Sequence, residues 1–195
     1  MPIIQTAIED VMPRLKAYLA RAGYRSALKD VQGEAMAVAR DVYEEALALA
    51  EPLAAVSDYR AGELDSVMLP EKLRGRASYS AMLFSLGSRI DAAIEGYFGR
   101  GEPLRAFFMD SWGSEAVESL ARNVDGRLRA ERGSGTIRFA PGYGGFDVRH
   151  NGAWLWLASR GAEGIEKSIS VDAGTGIIIP RKSIICMIGW DTLED

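Results

Sequence analysis

Within six residues the segment Arg138-Phe139-Ala140-Pro141-Gly142-Tyr143 brings together a permanent cation, a stiffened backbone, a glycine and an aromatic ring. The chemistry it suits is recognition of a small polar ligand. An X-Pro pair holds residue 140 extended, and Gly142 can take backbone angles that clash with any side chain, so the loop can present amides and carbonyls at close range. Arg138 adds a fork of donors matched to a carboxylate or phosphate. Taken by themselves, the same residues fit a plain surface turn better, with Arg138 solvated and Tyr143 packed on a neighbour, because Pro-Gly turns are common.

Other reactive residue types are scarce. Cys186 is the single cysteine and His150 the single histidine, so neither an intramolecular disulfide nor a zinc site of several Cys or His ligands is available. Cys186 lies in the apolar run Ser183-Ile184-Ile185-Cys186-Met187-Ile188 and reads as a buried, inert thiol. His150 lacks the Asp-x-His-x-x-Gly spacing of cobalamin-binding domains and reads as a surface or partner-facing residue. Val171-Asp172-Ala173-Gly174-Thr175-Gly176 imitates the glycine-rich first motif of Rossmann-type methyltransferases. That motif must close a strand and open a helix, whereas the residues after Gly176 read as a strand containing Pro180, so a hairpin turn is the better reading.

The whole chain sets the bounds. With 195 residues, 48% of them hydrophobic and 26% charged, it can bury a proper core as one unit, residues 1–195. A net charge of −4 with interleaved acids and bases argues against nucleic-acid binding. No apolar run is long enough to span a bilayer, and the start Met-Pro-Ile-Ile-Gln-Thr lacks the features of a secretory signal, so no membrane association and a cytoplasmic location are expected.

The elements that must position the loop follow from periodicity. Residues 5 to 22 and 28 to 50 read as helices that form a helical N-terminal part, 1–50, the second carrying Val31, Ala35, Val38, Val42, Ala46 and Leu49. Pro13 either kinks the first helix or marks its first turn. Stretches 54 to 60, 64 to 69 and 77 to 86 suit strands. Ser88 is placed to cap a helix with Ile90, Ala93, Ile94, Tyr97 and Phe98 on one face. Pro103 opens a long helix to about residue 129, with Leu104, Phe108, Trp112, Ala116, Leu120, Val124 and Leu128 as its stripe and Gly113 as a point of bending or splitting. Strands around 166 to 172 and 176 to 190 close the chain. Helices and strands come in blocks without a βαβ rhythm, which predicts an α+β fold with a twisted, mostly antiparallel sheet and flanking helices.

In this setting Arg-x-Ala-Pro-Gly-Tyr resembles the signature of the activation domain of vitamin B12-dependent methionine synthase. Val117-Glu118-Ser119-Leu120-Ala121 with Arg127-Leu128-Arg129 resembles the family helix upstream of the loop. Pro180-Arg181-Lys182-Ser183-Ile184 and Gly189-Trp190 resemble its closing strand, and the three pieces occur in the family's order. The likeness covers roughly residues 103–190, while Tyr18-Leu19-Ala20-Arg21-Ala22-Gly23-Tyr24-Arg25 is similar only to short free-standing relatives of the domain. One departure is local: where the large enzymes continue the loop with Pro, Ala and Cys, this chain has Gly144, Gly145 and Phe146.

The resemblance implies S-adenosylmethionine as ligand, with Arg138 pairing its carboxylate, Glu118 balancing ammonium or sulfonium charge, and Ala140, Gly142 and Tyr143 completing the site. Glu118 also fits a solvated helix carboxylate paired with Arg122 one turn on. In the family S-adenosylmethionine methylates a reductively reactivated corrinoid. This implies an accessory protein that meets cobalamin only through a partner corrinoid methyltransferase, with no catalytic acid or base and no metal ligand of its own. A binding or corrinoid-protein interaction module without methyl transfer is the alternative. A self-sufficient methyltransferase is a third, weakened by the missing Rossmann context.

Overall fold

The computed structural model describes residues 3–4, 6–24, 33–160, 162 and 164–191. Its centre is a sheet of β1 (Ile3–Ile4), β2 (Leu53–Arg60), β3 (Ser78–Ser85) and, after a short hairpin of β4 (Ser170–Val171) and β5 (Ile178–Ile179), β6 (Ser183–Trp190). The order across the sheet is β1-β2-β3-β6, and every pair is antiparallel. Ala81 on β3 stands between Ser57 on β2 and Met187 on β6.

Because side chains alternate along a strand, Val56, Met82, Phe84, Cys186 and Ile188 face one core while Ala55, Tyr79, Leu83, Ile185 and Met187 face another. Both faces are covered, so every residue of β3 is buried. The first face carries α1 (Leu15–Arg21), α2 (Glu34–Leu49), α3 (Arg89–Gly99) and α4 (Pro103–Arg132). The second carries α5 (Asn151–Ala158) with Leu64, Leu69 and Leu73 from the β2–β3 connection. The architecture is α+β, antiparallel and helix-flanked, as the sequence pattern predicts. Among the described residues no helix is long and apolar enough to cross a membrane.

Helix α4 supplies the platform for the site. Pro103 occupies its first turn, where a missing amide costs nothing, and the stripe from Phe108 through Trp112, Ala116, Leu120 and Val124 to Leu128 is buried. Leu104 stands above the core and is exposed. Gly113 does not split the helix, which runs unbroken from Pro103 to Arg132. A Cβ there would come 3.0 Å from Lys182 Cγ and 3.1 Å from Ile90 Cγ2, so the glycine gives room for Lys182, just before β6, and for α3 to pack close.

Several local expectations are corrected. The first helical pattern is interrupted at residues 12–14, with a single 3-10 turn at Ile8–Asp10 before α1, and Pro13 spends its carbonyl on the Tyr43 hydroxyl at 2.7 Å. The second begins at Glu34; residues 28–32 lie outside the described set. Residues 64 to 69 are not a strand. Asp65 caps a 3-10 turn at Ser66–Met68, and only Leu64 and Leu69 are buried, so the segment is anchored at its ends rather than laddered. Ser88 is the N-cap of α3 without a side-chain cap bond, and Phe98 at the far end is 61% exposed. Asp172 to Gly176 is indeed a hairpin turn: Gly176 N donates to Asp172 O, and Asp172 Oδ1 accepts from the Thr175 amide and hydroxyl.

Candidate functional site

Beyond Gly133 the chain turns back along the free edge of β6. Thr136 N donates to Gly189 O at 2.8 Å, and Phe139 and Met187 exchange amide bonds of 2.9 and 2.8 Å. Gly135 sits against Trp190, where a Cβ would stand 2.6 Å from a ring carbon and 2.9 Å from Gly189 O. The pairing imposes strand-like alternation on a stretch with little strand character. Phe139 enters the core under α5, while Ala140 packs toward the α4 core beside Ile184 and Cys186. Arg138 likewise points to α4, where it meets two acids.

Its Nη2 lies 3.3 Å from Glu118 Oε2 and its Nε 3.5 Å from Asp125 Oδ2, with the side chain 19% exposed. Residues 118 and 125 are two turns apart on one helical face, which is why both reach the same guanidinium. Asp125 also accepts from Arg129 Nε at 2.7 Å, and Arg129 Nη2 donates to Thr136 O at 2.6 Å. Asp125 thus ties α4 to both ends of the 136–138 segment. Arg122, the expected structural partner of Glu118, instead binds Glu115 Oε1 at 2.7 Å and Ser119 Oγ at 2.9 Å.

The turn after Pro141 is closed by Gly142 N donating to Phe146 O at 2.8 Å. Gly142, Gly144 and Gly145 all have positive φ, at 91°, 57° and 79°. The two glycines that depart from the large enzymes' loop therefore serve a backbone path that side chains resist. That path returns Phe146 onto His150, 4.1 Å away and stacked, and toward Trp154 at 5.5 Å. His150 accordingly has an internal ring partner on one face and is only partly buried.

Glu118, Arg138, Ala140 and Tyr143 line one cavity of about 380 Å³, a size within the range of small-ligand sites. Gly142 is not part of the lining; it shapes the turn. Tyr143 stands at the rim, 70% exposed. The remaining wall consists of Ile137, Phe139, Gly144, Ile184, Cys186 and Lys72. Ile184 and Cys186 could have been found from the two-residue alternation of β6 once it was paired with the loop. Lys72 comes from the β2–β3 connection, and no local pattern points to it. Burial pushes the Cys186 thiol up to about 12 against the opposing pull of Arg138, so it lines the cavity as a neutral group. The walls can thus offer a carboxylate a guanidinium and an ammonium a carboxylate, with apolar surface and an aromatic ring for the rest of a ligand.

The fold and cavity define an α+β architecture in which the 135–146 loop is stitched to the edge strand of the sheet and faced by the acids of one long helix. Among solved structures, the MetH reactivation domain bound to AdoHcy is similar to this chain, with a TM-score of 0.68 over 99% of this chain and 79% of that one, at 14% sequence identity. At that identity the likeness is one of fold. No family model and no curated protein matches the sequence.

Proposed function

We propose that the cavity binds an S-adenosyl nucleoside, S-adenosylmethionine or its demethylated thioether AdoHcy. On this reading the chain is an accessory protein for the reductive reactivation and methylation of a corrinoid methyltransferase, as in the methionine synthase activation domain family. The observation that carries this reading is the convergence of Arg138, Glu118 and Tyr143 on one cavity, in a fold whose solved counterpart was crystallised with AdoHcy.

The donor set fits the ligand. An amino-acid head is a zwitterion, and it can enter between Arg138 and Glu118 by giving each an opposite charge: its carboxylate takes the guanidinium, and its ammonium takes the carboxylate that the guanidinium releases. No charge is left unpaired by the exchange. Asp125 keeps its hold on Nε, so the guanidinium stays oriented while its other edge changes partner. The Tyr143 ring can pack on the adenine or the sulfonium, and Ile137, Phe139 and Ile184 provide apolar wall.

When bound, S-adenosylmethionine supplies an electrophilic methyl group. The residues of this chain need move no proton; they fix the nucleoside so that its sulfur faces an acceptor carried by the partner, and the rate gain comes from orientation. Cobalamin belongs to that partner in this reading. The test is transfer of labelled methyl from S-adenosylmethionine to a reduced corrinoid protein, with and without this chain. Transfer that requires the chain supports the accessory role; transfer indifferent to it refutes that role.

A further inference from the structure

Asp125 does not line the cavity, yet it governs how Arg138 faces it. Its two oxygens are divided between two arginines. Oδ2 stands 3.5 Å from Arg138 Nε, and Oδ1 accepts from Arg129 Nε at 2.7 Å. Arg129 in turn donates to the carbonyls of Thr136, at 2.6 Å, and Gly135, at 3.4 Å, and its guanidinium lies 5.8 Å from the centre of the Trp190 ring. Thr136 closes the circuit on β6, where its amide donates to Gly189 O at 2.8 Å and its hydroxyl accepts from Gly189 N at 3.1 Å. Helix, loop and edge strand are thus fastened together beside the point from which Arg138 projects.

A guanidinium can receive a carboxylate side-on, through Nε and one Nη, or end-on, through both Nη groups. Asp125 already takes Nε, which leaves the end-on fork for the cavity. Resting on the nucleoside reading above, we infer that Asp125 is the positioning residue for the ligand's amino-acid head, acting through Arg138 and touching no part of the ligand. The charge balance agrees with this role. Arg138 and Arg129 stand against Glu118 and Asp125, two cations against two anions. A zwitterionic head joins this set without changing its sum, and the field of Asp125 acts on the head's two charges in opposite senses. What Asp125 supplies is therefore direction rather than net attraction. Only a carboxylate can serve both arginines at once, because an amide has a single acceptor oxygen and turns its NH2 toward the second donor.

Calorimetric titration of wild type and Asp125→Asn tests this with two nucleosides, AdoHcy and 5′-methylthioadenosine, which keeps the adenosine and the sulfur and has no amino-acid head. The variant should bind AdoHcy about three- to tenfold more weakly, the worth of one net hydrogen bond, and methylthioadenosine as wild type does. In an Arg138→Ala background Asp125→Asn should cost nothing further, since the residue it acts through is gone. Equal losses for the two nucleosides, a loss that adds to that of Arg138→Ala, or unchanged AdoHcy affinity would overturn the inference and leave the nucleoside site intact. Should the amide variant fail to fold, Asp125→Glu keeps both oxygens one methylene further out. It should then weaken AdoHcy alone, by a smaller factor, with the same contrary outcomes. Heat from neither nucleoside with the wild-type chain removes the nucleoside reading, and this inference with it.

Discussion

Arg138 and Glu118 meet at 3.3 Å, the one on a segment stitched to the sheet edge, the other on a helix turn twenty residues upstream. On the proposed reading, the pair is a pre-formed template for a zwitterion. It is also partly open to solvent, with side chains 19% and 37% exposed, so its contribution to folding is small.

Glu118→Gln should therefore leave stability within about 1 kcal/mol of wild type, as for exposed ion pairs, because Asp125 still holds Arg138. Nucleoside affinity should fall about tenfold through loss of a charge-assisted bond to the ammonium. Urea denaturation and calorimetry read the two effects separately. A large stability loss with unchanged affinity would assign Glu118 a purely structural role.

Gly135→Ala probes how the loop is attached. The added methyl would meet Trp190 and the Gly189 carbonyl at well under van der Waals distance, and the rigid neighbours cannot both yield. We expect a cost of ~1–3 kcal/mol, the range for overpacking, together with weaker ligand binding as the 136–138 segment lifts from β6. A thermal melt matching wild type would contradict the packing at this edge.

Cys186 makes a prediction about pH. Its folded-state value is raised from 9.0 to about 12 by burial, so over that interval the folded chain keeps a proton that the unfolded chain has released. The thiol's contribution is fully present below pH 9 and is lost as pH climbs toward 12, with a slope of up to ~1.4 kcal/mol per pH unit. The wild-type denaturant midpoint should fall relative to that of Cys186→Ala as pH rises above 9, since the variant lacks this titration. A thiol reagent at pH near 8 should leave the native chain unlabelled and label it on unfolding.

Much of this was legible in the sequence, for identifiable reasons. The long helix α4 could be read because Pro103 and a stripe from Phe108 to Leu128 are local signals, and the loop because Arg138 to Tyr143 is a contiguous motif. Strand β6 followed from an unbroken apolar run, though the strand read over 176 to 190 is divided into β5 and β6 around Pro180. What escaped was set by tertiary contact. Residues 64 to 69 have strand-like composition, yet their leucines anchor a turn under α5. Phe98 continues an apolar face past the point where the core ends. Lys72 reaches the cavity only because the β2–β3 connection folds beside the loop. Glycines 144 and 145, a departure when read as letters, become intelligible once their positive φ values are seen to bring Phe146 back onto His150.

The most direct measurement is calorimetric titration of the purified chain with AdoHcy, repeated on Arg138→Ala. Saturable one-to-one binding by the wild type, weakened roughly 10- to 100-fold in the variant as a charge-assisted carboxylate contact is lost, is the expected result. Absence of binding by the folded wild-type chain, or binding indifferent to Arg138, would contradict the assignment of this cavity.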